Sequence, residues 1–173
     1  MNVSRSLSAV PLTTAPGSAG PLTAPLALVD AWAGAPLALL LGGSHATGAA
    51  AWVELDGRSV CLSDLDVYAV VGDRGKQRAA VARARAGRVG LRRRLMDWGF
   101  AAPLEASFLL PDDLRNLPAR PATLELAHHG VVVKGDASWR DRIPRWGPGD
   151  VGAEEIQLLL ENRAFELLLA WPD

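Results

Sequence analysis

A small mixed β-sheet backed by helices, of the α/β or α+β class, is what this sequence predicts, and three features carry the prediction. Residues 37–41 form a short unbroken apolar run, the mark of a central strand covered on both faces. Residues 52–55 and 58–62 flank Asp56-Gly57, a dipeptide suited to the positive φ angles of a two-residue hairpin turn. Residues 76–98 and 153–171 read as helices, so strands and helices are interspersed along the chain.

At 173 residues the chain is long enough for one domain with its own hydrophobic core, or one domain plus a docked helix. With 49% apolar and 21% charged residues, it resembles neither a disordered tail nor a charged binding peptide. Eighteen basic and nineteen acidic residues give a formal charge of −1, which argues against a dedicated nucleic-acid binder. Cys61 is the single cysteine, so no intrachain disulfide or cysteine-based zinc knuckle can form, and a reducing cytoplasm is the expected location. No apolar run approaches the roughly twenty residues of a membrane span, so no membrane partner is expected. Near the N-terminus, Pro11, Pro16 and Pro21 interrupt the apolar run that an export signal requires.

Taken in order, residues 1–24 are rich in Ser, Thr, Pro, Gly and Ala and read as an arm. Pro25 suits the first turn of a helix through Trp32, ended by Gly34 and Pro36. After the 37–41 strand, Gly42-Gly43-Ser44 turns the chain into a short helix. The hairpin follows, then a strand over 65–71. The basic helix over 76–98 is weakened by Gly87 and Gly90. Residues 104–110 read as a strand, Asp112-Asp113 as a turn, and 123–127 and 131–133 as two further strands. Residues 135–150 are a loop-rich connection, with Trp139 and Trp146 expected to pin it to the body. In the final helix Ile156, Leu159, Leu160 and Ala164 recur at three- and four-residue steps. The expected organisation is an arm over 1–24, a core over 25–150 and a C-terminal helical part over 151–173. Leu158, Phe165 and Leu169 widen that helix's apolar surface, which predicts a homodimer or a further C-terminal domain.

The chemistry is concentrated in two segments. Asp64 and Asp66 are two apart on a strand and project from one face. Neighbouring carboxylates repel, and a divalent cation relieves that conflict. Magnesium suits them, because it takes carboxylate oxygens, keeps several waters and bridges to phosphates. Gly43-Ser44 ends a strand where backbone N–H groups and a hydroxyl can meet phosphate oxygens. Glu105, on a third strand, can share an ion and take the proton of an attacking hydroxyl; two ions roughly 3.5–4 Å apart would clamp an in-line displacement. Lys134 is a point charge able to reach phosphate oxygens, or a plain surface lysine. His45 follows the turn, and either touches phosphate or makes a local hydrogen bond. His128-His129, read as strand neighbours, would face opposite ways and not share an ion. Between Arg74 and Arg94 there are nine basic residues and no acidic one, either a solvated helix face or a patch for phosphorylated ligands.

Gly43-Ser44, Asp64-Leu65-Asp66 and Glu105 together resemble the polymerase-beta-like nucleotidyltransferase superfamily, over roughly residues 26–135. Uncharacterised bacterial members look more similar still, through Trp52, Ser63 to Asp66, Gly135-Asp136-Ala137-Ser138-Trp139 and Leu158 to Arg163. The resemblance implies transfer of a nucleoside monophosphate from a triphosphate, ATP being expected, to an acceptor hydroxyl or phosphate, with release of pyrophosphate. It implies that Gly43, Ser44, Ser63 and Lys134 contact the nucleotide. Asp64 and Asp66 would bind two magnesium or manganese ions, and Glu105 would share the catalytic one. The gap from Ser44 to Asp64 is longer than in compact members, and Glu105 stands where Asp is more frequent. A second reading of the same residues is a catalytically weak nucleotide-binding or protein-interaction module.

Overall fold

The computed structural model describes residues 20–170, with the side chains of 163 and 166–170 left out. Most of the predicted arm therefore lies outside the described residues, and its last two residues already belong to a helix, α1 (Thr23–Ala33). That helix buries Pro25, Val29, Trp32 and Ala33 and ends at the left-handed Gly34. The next strand, β1 (Ala38–Leu41), is buried at all four positions, as its unbroken apolar run requires. Full burial of such leucines stabilises by about 1.5–3 kcal/mol each.

A short helix, α2 (Gly43–Thr47), leads to the hairpin of β2 (Trp52–Leu55) and β3 (Arg58–Cys61). Its turn holds Asp56 at φ 51° and Gly57 at φ 74°, the two left-handed positions that the dipeptide predicts. Then comes β4 (Leu65–Val70), followed by a helical crossover to β5 (Leu104–Leu109). The basic stretch is two helices and not one: α3 (Arg74–Gly87) and α4 (Leu91–Asp97), with the break at the two glycines that weakened it. Asp73 caps α3 by accepting from the Lys76 N–H at 2.9 Å.

Beyond β5 lie α5 (Pro111–Arg115), α6 (Pro121–His129) and β6 (Val131–Lys134). Here one expectation is corrected, because 123–127 is helix and not strand. Leu124-Glu125-Leu126 alternates in a strand-like way. However, Pro121 occupies the first helical turn and the Thr123 hydroxyl accepts from the Arg120 N–H at 3.0 Å, starting a helix. His128 and His129 consequently sit in the last helical turn, where the His128 Nε2–H donates to the Trp146 carbonyl at 2.9 Å.

The four-stranded sheet has the order β5-β4-β1-β6, with β2-β3 as a separate ribbon. Only β4 and β5 are parallel; β1 runs antiparallel to β4 and β6. Helices α1 and α3 cover one face, burying Leu39, Leu41, Leu65, Val67 and Ala69. Leu114 of α5, Leu126 of α6, Trp139 and Ile143 cover the other, against Ala38, Leu40 and Val70. Trp139 is buried beneath the Arg142 guanidinium, and the Trp146 indole N–H donates to the Leu117 carbonyl at 3.1 Å, so both tryptophans pin the loop as expected. The last helix, α7 (Ala153–Ala170), is tied to the residue before α6 by a 3.0 Å Arg120–Glu155 ion pair and leaves Ile156, Leu158, Leu160 and Phe165 exposed. No helix among the described residues is long and apolar enough to cross a membrane.

Candidate active site at the glycine turn

Register brings Gly42 and two of the expected carboxylates into one row. Leu41 pairs with Val67, and the Gly42 N–H then donates to the Asp66 carbonyl at 2.9 Å, extending that ladder by one residue. On its other side Asp66 is the direct partner of Glu105. In-register residues of neighbouring strands share a face and lie about 4.8 Å apart, so the two carboxylates stand side by side. Gly42, Asp66 and Glu105 thus cross the sheet in a line.

Gly43 presses on that line. Its φ is 62°, a left-handed conformation, and a Cβ built on it would run into the Asp66 carboxylate. A Cβ at Gly42 would come within 3.0 Å of the Tyr68 ring and 3.6 Å of the Asp66 Cβ. The two glycines are therefore what lets the main chain lie against the acidic residue. Beside them the Ser44 hydroxyl is buried with no hydrogen-bond partner among the described residues, a state that carries a desolvation cost until something donates to it or accepts from it.

Tyr68 lies two residues further along the same face of β4. Burial first, then the charges of Asp66, Glu105 and Glu125, push its hydroxyl up to about 12. Asp66 and Glu105 therefore act on one neighbourhood. Asp64 acts on another, since its charge is felt by His45 and Cys61. Among the described residues no group of three or more His, Cys, Asp or Glu side chains could together hold a metal ion. The donor set beside the turn, two adjacent carboxylates on a half-exposed strand end, fits a single cation that keeps most of its water. It does not form a ready-made three-carboxylate clamp.

His45 and Cys61 occupy a different compartment. Cys61 is fully buried, with its Sγ 3.5 Å from the His45 Nε2 and donating to the Ser63 carbonyl at 3.5 Å. His45 also meets Trp52 and Phe100, at ring-centroid distances of 6.4 and 5.9 Å. Burial lowers the His45 pKa, with the Ser63 backbone contact and the Asp64 charge opposing. Burial raises that of Cys61, against the Ser63 contact and together with the Asp64 charge. Both groups are held neutral, so the thiol is not an activated nucleophile.

Two other nucleotide-binding expectations fall elsewhere. The Ser63 hydroxyl accepts from the Ala51 N–H at 2.9 Å, bracing the hairpin's base. Lys134 pairs with Leu39, toward the far end of β1 from Gly42, and its Nζ lies 2.6 Å from an Asp30 carboxylate oxygen. It is not brought to the turn. Sequence reasoning passed over Tyr68, whose signal was available: it stands two residues after Asp66 and so shares its face. No family model, no curated protein and no solved structure matches this chain.

Proposed function

We propose that this protein is a magnesium-dependent nucleotidyltransferase with its centre at the Gly42–Asp66–Glu105 row. The observation that supports the reading best is the contact of a left-handed glycine with a strand-borne carboxylate that has a second carboxylate as its cross-strand neighbour. Asp66 and Glu105 would hold the ion, with Asp64 approaching from two residues before Asp66. A bound magnesium ion neutralises phosphate charge and polarises the phosphoryl group under attack. The chain's own residues supply the rest. Gly42 and Gly43 allow a triphosphate to lie close to the main chain, and the Ser44 hydroxyl gains a partner in a phosphate oxygen. Glu105, on the exposed side, accepts the proton of the acceptor hydroxyl as that oxygen attacks the α-phosphorus. The bond from the α-phosphorus to the bridging oxygen breaks, and pyrophosphate leaves.

A second reading, a binding module without turnover, draws support from α7, whose exposed Ile156, Leu158, Leu160 and Phe165 suit a protein contact. One experiment separates the two. The four nucleoside triphosphates are incubated with the protein and magnesium or manganese, pyrophosphate is measured, and candidate acceptors are weighed by mass spectrometry. Metal-dependent pyrophosphate release with a nucleotidyl mass added to an acceptor supports transfer. Tight triphosphate binding with neither product supports the module.

A further inference from the structure

A cavity of about 720 Å³ runs along the open edge of β5, opposite the α3–α4 connection. That volume lies in the range of small-molecule sites. Leu91, Leu95 and Phe100 give it an apolar lining, Arg88 and Arg92 stand over it, and Glu105 forms part of its wall. The basic run is not uniform in its duties. The Arg83 Nε donates to the Trp32 carbonyl at 2.6 Å and an Arg94 guanidinium nitrogen to the Gly87 carbonyl at 2.8 Å, so both brace helix ends. Arg88 and Arg92 have no side-chain hydrogen bond or ion pair among the described residues. Two such guanidiniums over an apolar groove match a ligand with an anionic group on an apolar body. Glu105 borders this groove at the open edge of β5, with its side chain on the sheet face of Asp66, so a ligand that wraps around that edge reaches both the arginines and the row beside the glycine turn.

We infer that this groove binds the acceptor of the transfer reaction, a small molecule carrying a phosphate or carboxylate group and an apolar portion. Arg88 and Arg92 hold the anion, and the acceptor's hydroxyl faces Glu105. The assignment rests on the nucleotidyl-transfer reading, and it names what that reading left open. It also gives the nine-residue basic run a partial function: two of its members recognise the acceptor, and others hold the helices that carry them.

The test uses the full chain and three probes of similar body: phenyl phosphate, phenylacetate and benzyl alcohol. Each is titrated while backbone amide shifts are followed by NMR, with and without saturating magnesium and ATP. The expected result is that an anionic probe shifts amides of residues 88–95 and 100–107, binding at least tenfold more tightly than benzyl alcohol. The better of phenyl phosphate and phenylacetate identifies the acceptor's anion. Arg88→Gln with Arg92→Gln should weaken that binding at least tenfold, and Arg88→Lys with Arg92→Lys should restore part of it. Both side chains are exposed, so neither double variant threatens the core. Equal binding of all three probes, or an anion affinity untouched by the Gln variant, overturns the inference. So does displacement of the probe by magnesium and ATP, which would give the groove to the donor nucleotide. Failure of the transfer reading has its own signature, an ATP affinity that does not depend on magnesium.

Discussion

Two neighbourhoods flank the same short stretch of chain between Cys61 and Asp66, and they treat their reactive residues in opposite ways. On one side His45 and Cys61 are packed among Trp52 and Phe100, and burial drives both to their neutral forms. On the other, Asp66 and Glu105 remain partly or fully exposed, with a glycine main chain against one and an open groove beside the other. The residue types that look most reactive, a histidine and a thiol 3.5 Å apart, are thus structural. The acidic pair lies beside a buried hydroxyl, that of Ser44, which has no hydrogen-bond partner among the described residues. Chemistry follows the environment here, since desolvation can shift a group by several pKa units in either direction.

The contrast breaks most severely at Gly43. Alanine there must take a left-handed φ and place its Cβ against the Asp66 carboxylate. Backbone strain costs about 1–2 kcal/mol, which the fold should survive. Magnesium-dependent triphosphate affinity should fall by two orders of magnitude or more, as calorimetry would register, with thermal melting as the check on folding. Preserved affinity would separate the turn from the acidic pair. Glu105→Gln comes next. It keeps the shape of an exposed side chain and removes a proton acceptor, so turnover should drop by about 10²–10⁴-fold, the usual contribution of general-base catalysis. Melting should stay unchanged, and full turnover in this variant would assign the proton to water.

A smaller effect concerns the neutral compartment. The folded His45 pKa lies below its ordinary value, so between those two values the unfolded chain binds more protons. Stability should therefore be flat above the ordinary histidine value and fall as pH drops below it toward the folded value. In His45→Phe that part of the acid limb should flatten, as urea titrations at a series of pH values would show. An unaltered acid limb would mean that His45 is not buried neutral. Smallest of all is Arg58→Ala at the exposed hairpin tip, where melting should move by no more than about 0.5 kcal/mol in stability. If the hairpin forms a wall on the acceptor side, only the acceptor KM rises. A selective rise in the triphosphate KM would place Arg58 beside the leaving group.

Much of this arrangement was legible from the order of residues alone. The run at 37–41 is apolar because β1 is covered on both faces, and Asp56-Gly57 turns the hairpin because both positions accept positive φ. Asp66 and Glu105 could each be placed on a strand. Their adjacency was implied by the family resemblance and not by spacing, because it depends on the parallel register of β4 and β5, set across a helical crossover where no tight turn pins the pairing. The ion pair of Lys134 was hidden for a similar reason: its partner Asp30 is 104 residues away in the chain, and only folding brings them together. The 123–127 segment fails differently. Alternation over a few residues fits strand and helix alike, and here the helix-start signals of Pro121 and Thr123 outweigh it.

The central claim, that the carboxylate facing the glycine turn binds metal and triphosphate, is tested most directly by calorimetric titration of ATP. The wild type, Asp66→Asn and Asp64→Asn are each titrated with and without magnesium, and each is first shown to be folded by thermal melting. The account predicts that magnesium tightens binding to the wild type at least tenfold. It predicts that this increment vanishes in Asp66→Asn and is only reduced in Asp64→Asn, whose charge acts on His45 and Cys61. Equal ATP affinity for the wild type and a folded Asp66→Asn, with magnesium present and absent, would contradict it.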